Sequence, residues 1–372
     1  MQIKKRFWIA LGIIVAIILA AIVLGYSNKG QGELNIIKIG VIAPLSGNQA
    51  FIGQDFKEGL ELNSPKNMLM IFEDSQGDVT KAVSAYNKLK LDKIDILIVV
   101  GAGDEALIPL VDKDQIPTIL TISSTGGLPA KSKYVFRYFT NADGDVPVMV
   151  KYIRDNLTEV KNIGLIHIQD NYGISYKEAF VKEAEKNGIK ISGIEQYFYT
   201  SVDYKTQLAK LNQTKPDAIY IIGLDYQVIQ IMKQAKQLGL KTKFISIGTI
   251  ATSYAISQAN GVLEGVYTTA FCTDGSPVNF QDVFRAKYNK VGGFFAEMGD
   301  DITSFIITSS KSQKSIFLAD KFISDLTTLK NFQANTGLVS STPVGELTIE
   351  VCPKIIKDSK IFNFTSGKFS NY

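Results

Sequence analysis

The sequence is short of the side chains on which most enzymes depend. His167 is the only histidine in 372 residues, so a Ser–His–Asp triad would have to include it. It lies inside the apolar run "NIGLIHI", which predicts a histidine within a strand. One histidine and two distant cysteines do not provide the ligand spacing of a metal site. Neither a Walker A sequence nor G-x-G-x-x-G at a helix start occurs. These absences predict a protein that is not an enzyme and needs no cofactor.

Arginine is also scarce, and the charges nearly balance. Outside the N-terminal segment the arginines are Arg137, Arg154 and Arg285. A bidentate clamp for a carboxylate or phosphate is therefore not expected, unless Arg137 supplies it. Lys and Arg total 40 against 36 Asp and Glu, and setting aside the three cations of residues 4–6 leaves 37 against 36. The sequence predicts no basic surface for nucleic acid.

A long apolar run is present near the N-terminus. Phe7–Tyr26 contains twenty residues without a charge, and at 1.5 Å per residue it spans roughly 30 Å, the thickness of a hydrocarbon core. The alternative is a cleaved signal peptide, whose apolar region usually has about 7–15 residues. We expect residues 1–6 in the cytoplasm, 7–26 as a transmembrane anchor, and 27–36 as a linker. The remaining chain is then on the extracytoplasmic side of the cell membrane.

Cys272 and Cys352 are the only cysteines. An extracytoplasmic location permits a disulfide. Two cysteines so far apart do not require one, so the sequence leaves their pairing open.

Two parts of the chain repeat one pattern. "KIGVIAPL" near the start is echoed by "NIGLIHIQ" about 125 residues later, and each is a continuous apolar run. In both parts, an amphipathic segment and a Lys-x-Asp sequence then precede a strand that ends in glycine. These strands are Asp95–Gly101 and Asp217–Gly223. Continuous apolar strands alternating with helices indicate parallel sheets buried on both faces. The sequence therefore predicts an α/β protein with two Rossmann-like, doubly wound lobes after one N-terminal transmembrane helix.

In such sheets ligands bind beyond the carboxyl ends of the strands. The loop Pro44–Gly53 follows the first strand, and its glycines allow close backbone approach. We expect this loop to face the ligand.

The ordered series of segments resembles type I periplasmic solute-binding proteins of the branched-chain amino acid receptor group of ABC transporters. The resemblance covers Ile37 to the C-terminus. The segments that carry it include "KIGVIAPLSG", "FEDSQGD", "IPTILTISST", "FRYFTNADGD", "IQDNYG", "DYKTQLAKLNQTKPDAIYIIG" and "FRAKYNKVGGF".

The resemblance implies that the chain crosses between the lobes three times, at 137–145, 265–274 and 340–349. Lobe one would contain residues 37–140 and 270–340, and lobe two residues 141–269 and 341–372. Such proteins bend at these crossings, close around a small solute and deliver it to a membrane permease.

The resemblance also suggests ligand-binding residues. The segment Ser123, Ser124 and Thr125 matches a loop that holds an amino acid head group, although serine and threonine here could equally cap a helix. Tyr172 matches an aromatic that covers the ligand; the alternative is that it packs over the next helix. Phe51 lies where relatives place an aromatic side chain.

Two positions depart from the family pattern. One is the loop Gly101–Glu105, where amino acid receptors usually carry a serine. Amino acid receptors carry an acidic residue for the ligand ammonium where this chain has Gly248 and Thr249. Asp225 or Asp104 could substitute from a neighbouring loop. Because no aligned ammonium partner exists, we expect a small uncharged or weakly anionic solute.

The sequence thus predicts a solute-binding protein for an amino acid, amide or related small molecule, with an ABC transporter permease as its partner. Two alternatives stay open. One is a membrane-anchored receptor subunit that senses a ligand, and the other is a structural exoprotein that has kept the fold without the ligand.

Overall fold

The computed structural model describes residues 36–123, 125–272, 279–311, 317–365 and 368–370. The predicted anchor, Phe7–Tyr26, lies outside these residues and stays a prediction. Within the described part of the chain, no helix combines the length and apolarity needed to cross a membrane.

The first lobe is built on a parallel sheet of five strands. The strand order is β2-β1-β3-β4-β5. All five residues of β3 are buried, as expected for a strand covered on both faces. The strands are β1 (Ile37–Ala43), β2 (Met68–Asp74), β3 (Ile96–Val100), β4 (Thr118–Thr121) and β5 (Val135–Tyr138).

The second lobe repeats this arrangement and extends it. Its parallel strands run in the order β7-β6-β8-β9-β10, the order of the first sheet, and β14, β15 and β16 continue from β10 as antiparallel strands. The internal echo in the sequence therefore corresponds to two sheets of the same topology. The strands are β6 (Asn162–Ile168), β7 (Lys190–Tyr197), β8 (Ala218–Ile222), β9 (Lys243–Ser246), β10 (Tyr267–Phe271), β14 (Val351–Lys357), β15 (Lys360–Thr365) and β16 (Lys368–Ser370).

Helices cover both faces of the two sheets, and several begin at an Asx cap. Asp78, Asn141 and Asp170 each accept a hydrogen bond from the backbone N–H three residues on, which satisfies a donor that the helix leaves unpaired. The α-helices of the described residues are Ala50–Leu62, Val79–Leu91, Asp104–Asp114, Ala142–Asn156, Asn171–Lys186, Lys205–Gln213, Asp225–Gln237, Ser253–Ala259, Phe280–Tyr288, Phe294–Lys311 and Ala319–Thr327.

The third crossing lies later than the sequence predicted. A small antiparallel sheet follows the helices of the first lobe, with strands β11 (Phe332–Ala334), β12 (Gly337–Ser341) and β13 (Leu347–Ile349). Val339, Leu347 and Ile349 are buried in the apolar core of the first lobe. The chain joins the second sheet only at β14. The expectation that lobe two begins at 341 is therefore wrong, because the β12–β13 hairpin packs on lobe one.

The two cysteines form a disulfide that joins the second and third segments crossing between the lobes. Cys272 directly follows β10, and Cys352 lies near the start of β14. Their Cα atoms are 5.1 Å apart. The antiparallel pairing of β10 with β14 brings them together, which the sequence alone had not decided.

Two glycines let a helix pack tightly on the strand that precedes it. A Cβ atom on Gly53 would lie 2.2 Å from the carbonyl oxygen of Pro44, and one on Gly173 would lie 2.0 Å from that of Ile168. Only glycine fits such approaches. Each glycine lies in the helix after the first strand of its lobe, so both helices begin close to the carboxyl end of the sheet.

Candidate ligand-binding site

A cavity of about 410 Å³ lies between the two lobes. Its lining comes from the loop and helix start after β1 in lobe one, and from the segments after β7 and β8 in lobe two. This volume is within the range of small-molecule sites. The lining residues are Asn48, Gln49, Phe51, Ile52, Tyr199, Leu224, Asp225 and Tyr226.

The loop after β1 is fastened by Asp74, at the end of the adjacent strand. Asp74 accepts hydrogen bonds from the backbone N–H groups of Leu45 at 2.8 Å and Gln76 at 2.9 Å, and from the Ser46 hydroxyl. The Ser46 hydroxyl is thus committed to the protein. Beyond this anchor, Phe51 has 43% of its surface exposed and meets Phe295 edge-on at 6.4 Å. Phe51 therefore presents an aromatic face to the cavity.

The segment after β4 is held by contacts within lobe one. The Ser123 hydroxyl donates to the carboxylate of Asp104, which also accepts from the backbone N–H of Glu105 at 2.8 Å. Ile122 has a φ of 56°, an unusual conformation for a β-branched residue. Strain of this kind persists where surrounding contacts impose it, often at ligand-binding segments. Ser124 lies outside the described residues.

Arg137 supports that segment from behind. Its guanidinium is fully buried and donates to the backbone carbonyls of Ser123 and Thr125. It also forms a bidentate ion pair with Glu346, at 2.8 and 2.6 Å. Its contacts with the described residues are internal and its side chain does not line the cavity. It joins the β12–β13 turn to the segment that the sequence predicted to bind the solute.

The second lobe contributes the acidic and aromatic part of the cavity. Asp225 is the first residue of its helix, and its Oδ1 accepts from the backbone N–H of Tyr226 at 2.7 Å. Its Oδ2 has no hydrogen-bond partner in the described part of the chain, and burial raises the pKa of the carboxyl. The rings of Tyr226 and Tyr199 meet edge-on at 6.3 Å.

Tyr172 lies within the second lobe and does not line this cavity. Its ring packs edge-on against Tyr176 at 5.1 Å and contacts both apolar cores of the lobe. Tyr176 in turn donates to Oδ2 of Asp145 at 3.0 Å, while Oδ1 of that carboxylate is buried without a hydrogen-bond partner in the described residues. Burial raises the pKa of Asp145 to about 6.

The remaining predicted positions have internal partners. The Thr249 hydroxyl donates to the carbonyl oxygen of Gly223 at 2.9 Å, which links the ends of β9 and β8. His167 lies in β6 and is buried, as the sequence predicted, and burial lowers its pKa.

Of the eight predicted site residues, the cavity lining therefore includes Phe51 and Asp225. The loop Pro44–Gly53, which the sequence predicted to face the ligand, also supplies Asn48, Gln49 and Ile52. Sequence reasoning missed Tyr199, Leu224 and Tyr226. A signal was available for Tyr226, because it lies just beyond the predicted strand Asp217–Gly223. Tyr199 follows β7, a strand that the sequence analysis did not predict.

Comparison with known proteins agrees with this architecture. A sequence profile described as "Periplasmic binding protein" matches residues 36–346. The chain belongs to the periplasmic binding protein family. Its members and relatives are binding proteins, so the expectation that the chain is not an enzyme is confirmed.

Curated relatives of this binding protein are distant. The Leu/Ile/Val-binding protein of Escherichia coli is 24% identical over 319 residues, which covers 81% of this chain and 83% of the relative. Leu/Ile/Val-binding protein homolog 2 of Brucella abortus is 26% identical over 248 residues, which covers 63% of this chain and 66% of the relative.

Solved structures share the two-lobe fold. A leucine-binding protein from Thermotoga maritima superposes with a TM-score of 0.78 at 20% identity, covering 89% of this chain and 98% of that one. A solute-binding protein from Rhodopseudomonas palustris, in complex with 3,4-dihydroxybenzoic acid, gives a TM-score of 0.78 at 18% identity, covering 88% and 96%. At these identities the likeness extends to the fold alone.

Proposed function

We propose that this binding protein captures a small organic solute between its lobes on the extracytoplasmic side and delivers it to the permease of an ABC transporter. The observation that carries the proposal is the cavity, to which both lobes contribute side chains. A ligand that touches both walls stabilises the closed arrangement over the open one. Membership of the family supports the role in transport.

The ligand and the closing movement can be tested together on the full-length protein. We expect one solute from a panel of amino acids, amines, amides and aromatic acids to raise the melting temperature. A ligand at about 100 times its Kd adds roughly 2.7 kcal/mol to the free energy of unfolding.

Hydrogen exchange with and without that solute then reports on closure. We expect exchange to slow both at Asn48–Ile52 and at Leu224–Tyr226, because the two segments lie on opposite walls. The helix Ala319–Thr327, which does not line the cavity, is the internal control. Slowing confined to one wall would contradict closure, and a panel without a single stabilising solute would contradict solute binding.

We also propose that Phe7–Tyr26 remains attached as a membrane anchor. The support is its length without a charge, behind a basic N-terminus. N-terminal sequencing of the protein from washed membranes is expected to start at residue 1 or 2. A soluble mature form starting near Ser27 would refute the anchor.

A further inference from the structure

The electrostatic character of the cavity is set by one carboxylate. Among the described residues that line it, Asp225 is charged, while the others are apolar, aromatic or amide side chains. Oδ1 of Asp225 is bound to its own helix, and Oδ2 has no hydrogen-bond partner among the described residues. Asp225 is partly exposed in this structure. Closure around a solute would take its carboxylate out of water, which is costly without a partner, and a cation from the ligand would offset that cost.

The aromatic side chains around Asp225 favour the same kind of group. Tyr199 and Tyr226 form an edge-on pair in lobe two, and Phe51 lies in the lining contributed by lobe one. Aromatic faces attract ammonium groups, and cages of such rings bind quaternary amines.

The described lining residues of lobe one include no lysine or arginine. Arg137 is fully buried in its pair with Glu346 and in contacts with backbone carbonyls. The segment after β4 instead borders a second carboxylate, Asp104, which has no Lys or Arg partner among the described residues. A ligand carboxylate at that segment would meet like charge.

We infer that the solute of this cavity is a small organic cation, an amine or quaternary ammonium compound without a carboxylate. Its ammonium group pairs with Asp225 and lies against Tyr199, Tyr226 and Phe51. The inference rests on the proposed function, and it replaces the uncharged or weakly anionic solute expected from the sequence.

Pairs of ligands with similar shape and different charge test this inference. Calorimetric titration of the full-length protein would use choline and its neutral isostere 3,3-dimethylbutan-1-ol, and isopentylamine beside leucine and 4-methylpentanoate. We expect choline or isopentylamine to bind more tightly than its uncharged or carboxylate-bearing counterpart. Binding of leucine, 4-methylpentanoate or benzoate without binding of either amine overturns this inference and leaves the proposed function intact. Absence of binding by every probe counts against both.

Two variants assign the recognition to named residues. D225N keeps an acceptor for the Tyr226 N–H but removes the charge, and should weaken amine binding by about 10–100-fold. D203N is the matched control, because Asp203 is exposed and accepts from the N–H of Lys205 at 2.9 Å at another helix start of the same lobe. Y226L should weaken the amine by about 3–30-fold and leave the isostere unaffected. Equal affinities of D225N and the native protein for the amine overturn the inference.

Discussion

Asp104 and Asp225 hold equivalent places in the two lobes and have different surroundings. Each begins the helix that follows the third strand of its sheet, β3 in lobe one and β8 in lobe two. Asp104 accepts the Ser123 hydroxyl from the neighbouring strand end. Asp225 has no such partner and lines the cavity. The same position is therefore structural in one lobe and available to a ligand in the other.

The difference extends to the strand ends around the two carboxylates. In lobe one, Arg137 and Asp104 fix the segment after β4 by charge-assisted contacts. In lobe two, the corresponding segment after β9 is linked through the hydrogen bond of Thr249 to a neutral carbonyl. Charge-assisted hydrogen bonds are roughly twice as strong as neutral ones. Lobe one thus holds the segment after β4 more firmly than lobe two holds the segment after β9.

Removing the guanidinium of Arg137 should weaken lobe one and cause the largest loss of unfolding free energy among the variants proposed. R137M leaves the Glu346 carboxylate without its cation and two carbonyls without a donor. Breaking a buried ion pair from one side costs about 3–5 kcal/mol, and we expect a loss of that size in urea unfolding.

The control for Arg137 is R154M. Arg154 pairs with Asp155 on the surface of lobe two, where such pairs contribute about 0–1 kcal/mol. Equal losses of unfolding free energy in the two variants would show that the buried ion pair of Arg137 contributes no more than a surface pair.

Asp145, in the second lobe, should make the stability of the protein depend on pH. Burial raises the pKa of this carboxyl from 3.8 to about 6, so the folded protein binds the proton more tightly than the unfolded chain. Its contribution to stability is therefore fully present below pH 4 and is lost as the pH rises through 6. Compared with D145N, the native protein should lose roughly 3 kcal/mol of unfolding free energy over this range.

D155N on the same helix is the control for this titration. Asp155 is exposed, and its hydrogen bonds with Arg154 and Lys151 lower its pKa to about 2. Its removal should not reduce the loss of stability between pH 4 and 6. If D145N follows the native pH profile, Asp145 is not the titrating group.

Much of the fold could be predicted because its signals are local. The runs that became β3 and β8 are apolar throughout, and the run that became β6 is apolar except for Asn162 and His167. Parallel strands buried on both faces favour that composition. The β12–β13 hairpin was not predicted because its strands are short and carry exposed polar residues, such as Thr348. The assignment of the hairpin to lobe one depends on its packing, which the sequence does not show.

The site was less predictable because it depends on which segments meet across the lobes. Asp225 could be proposed from its place after a strand, and the cavity includes it. Tyr199 and Tyr226 become partners only through the pairing of distant segments. The disulfide depended likewise on the register of β10 and β14, which no short stretch of sequence specifies.

The smallest effects come from deleting the two hydroxyls that link neighbouring strand ends. S123A removes a donor from a carboxylate and should cost about 1.5–3 kcal/mol, whereas T249V removes a donor from a neutral carbonyl and should cost about 0.5–1.5 kcal/mol. Both are read from urea unfolding of the full-length protein. T327V is an exposed control, since the Thr327 hydroxyl donates to a carbonyl of its own helix. If S123A costs no more than T249V, the segment after β4 is not held more firmly than the segment after β9. A larger cost for S123A, together with faster hydrogen exchange at residues 122–126, would establish that the Asp104 carboxylate fixes the segment after β4.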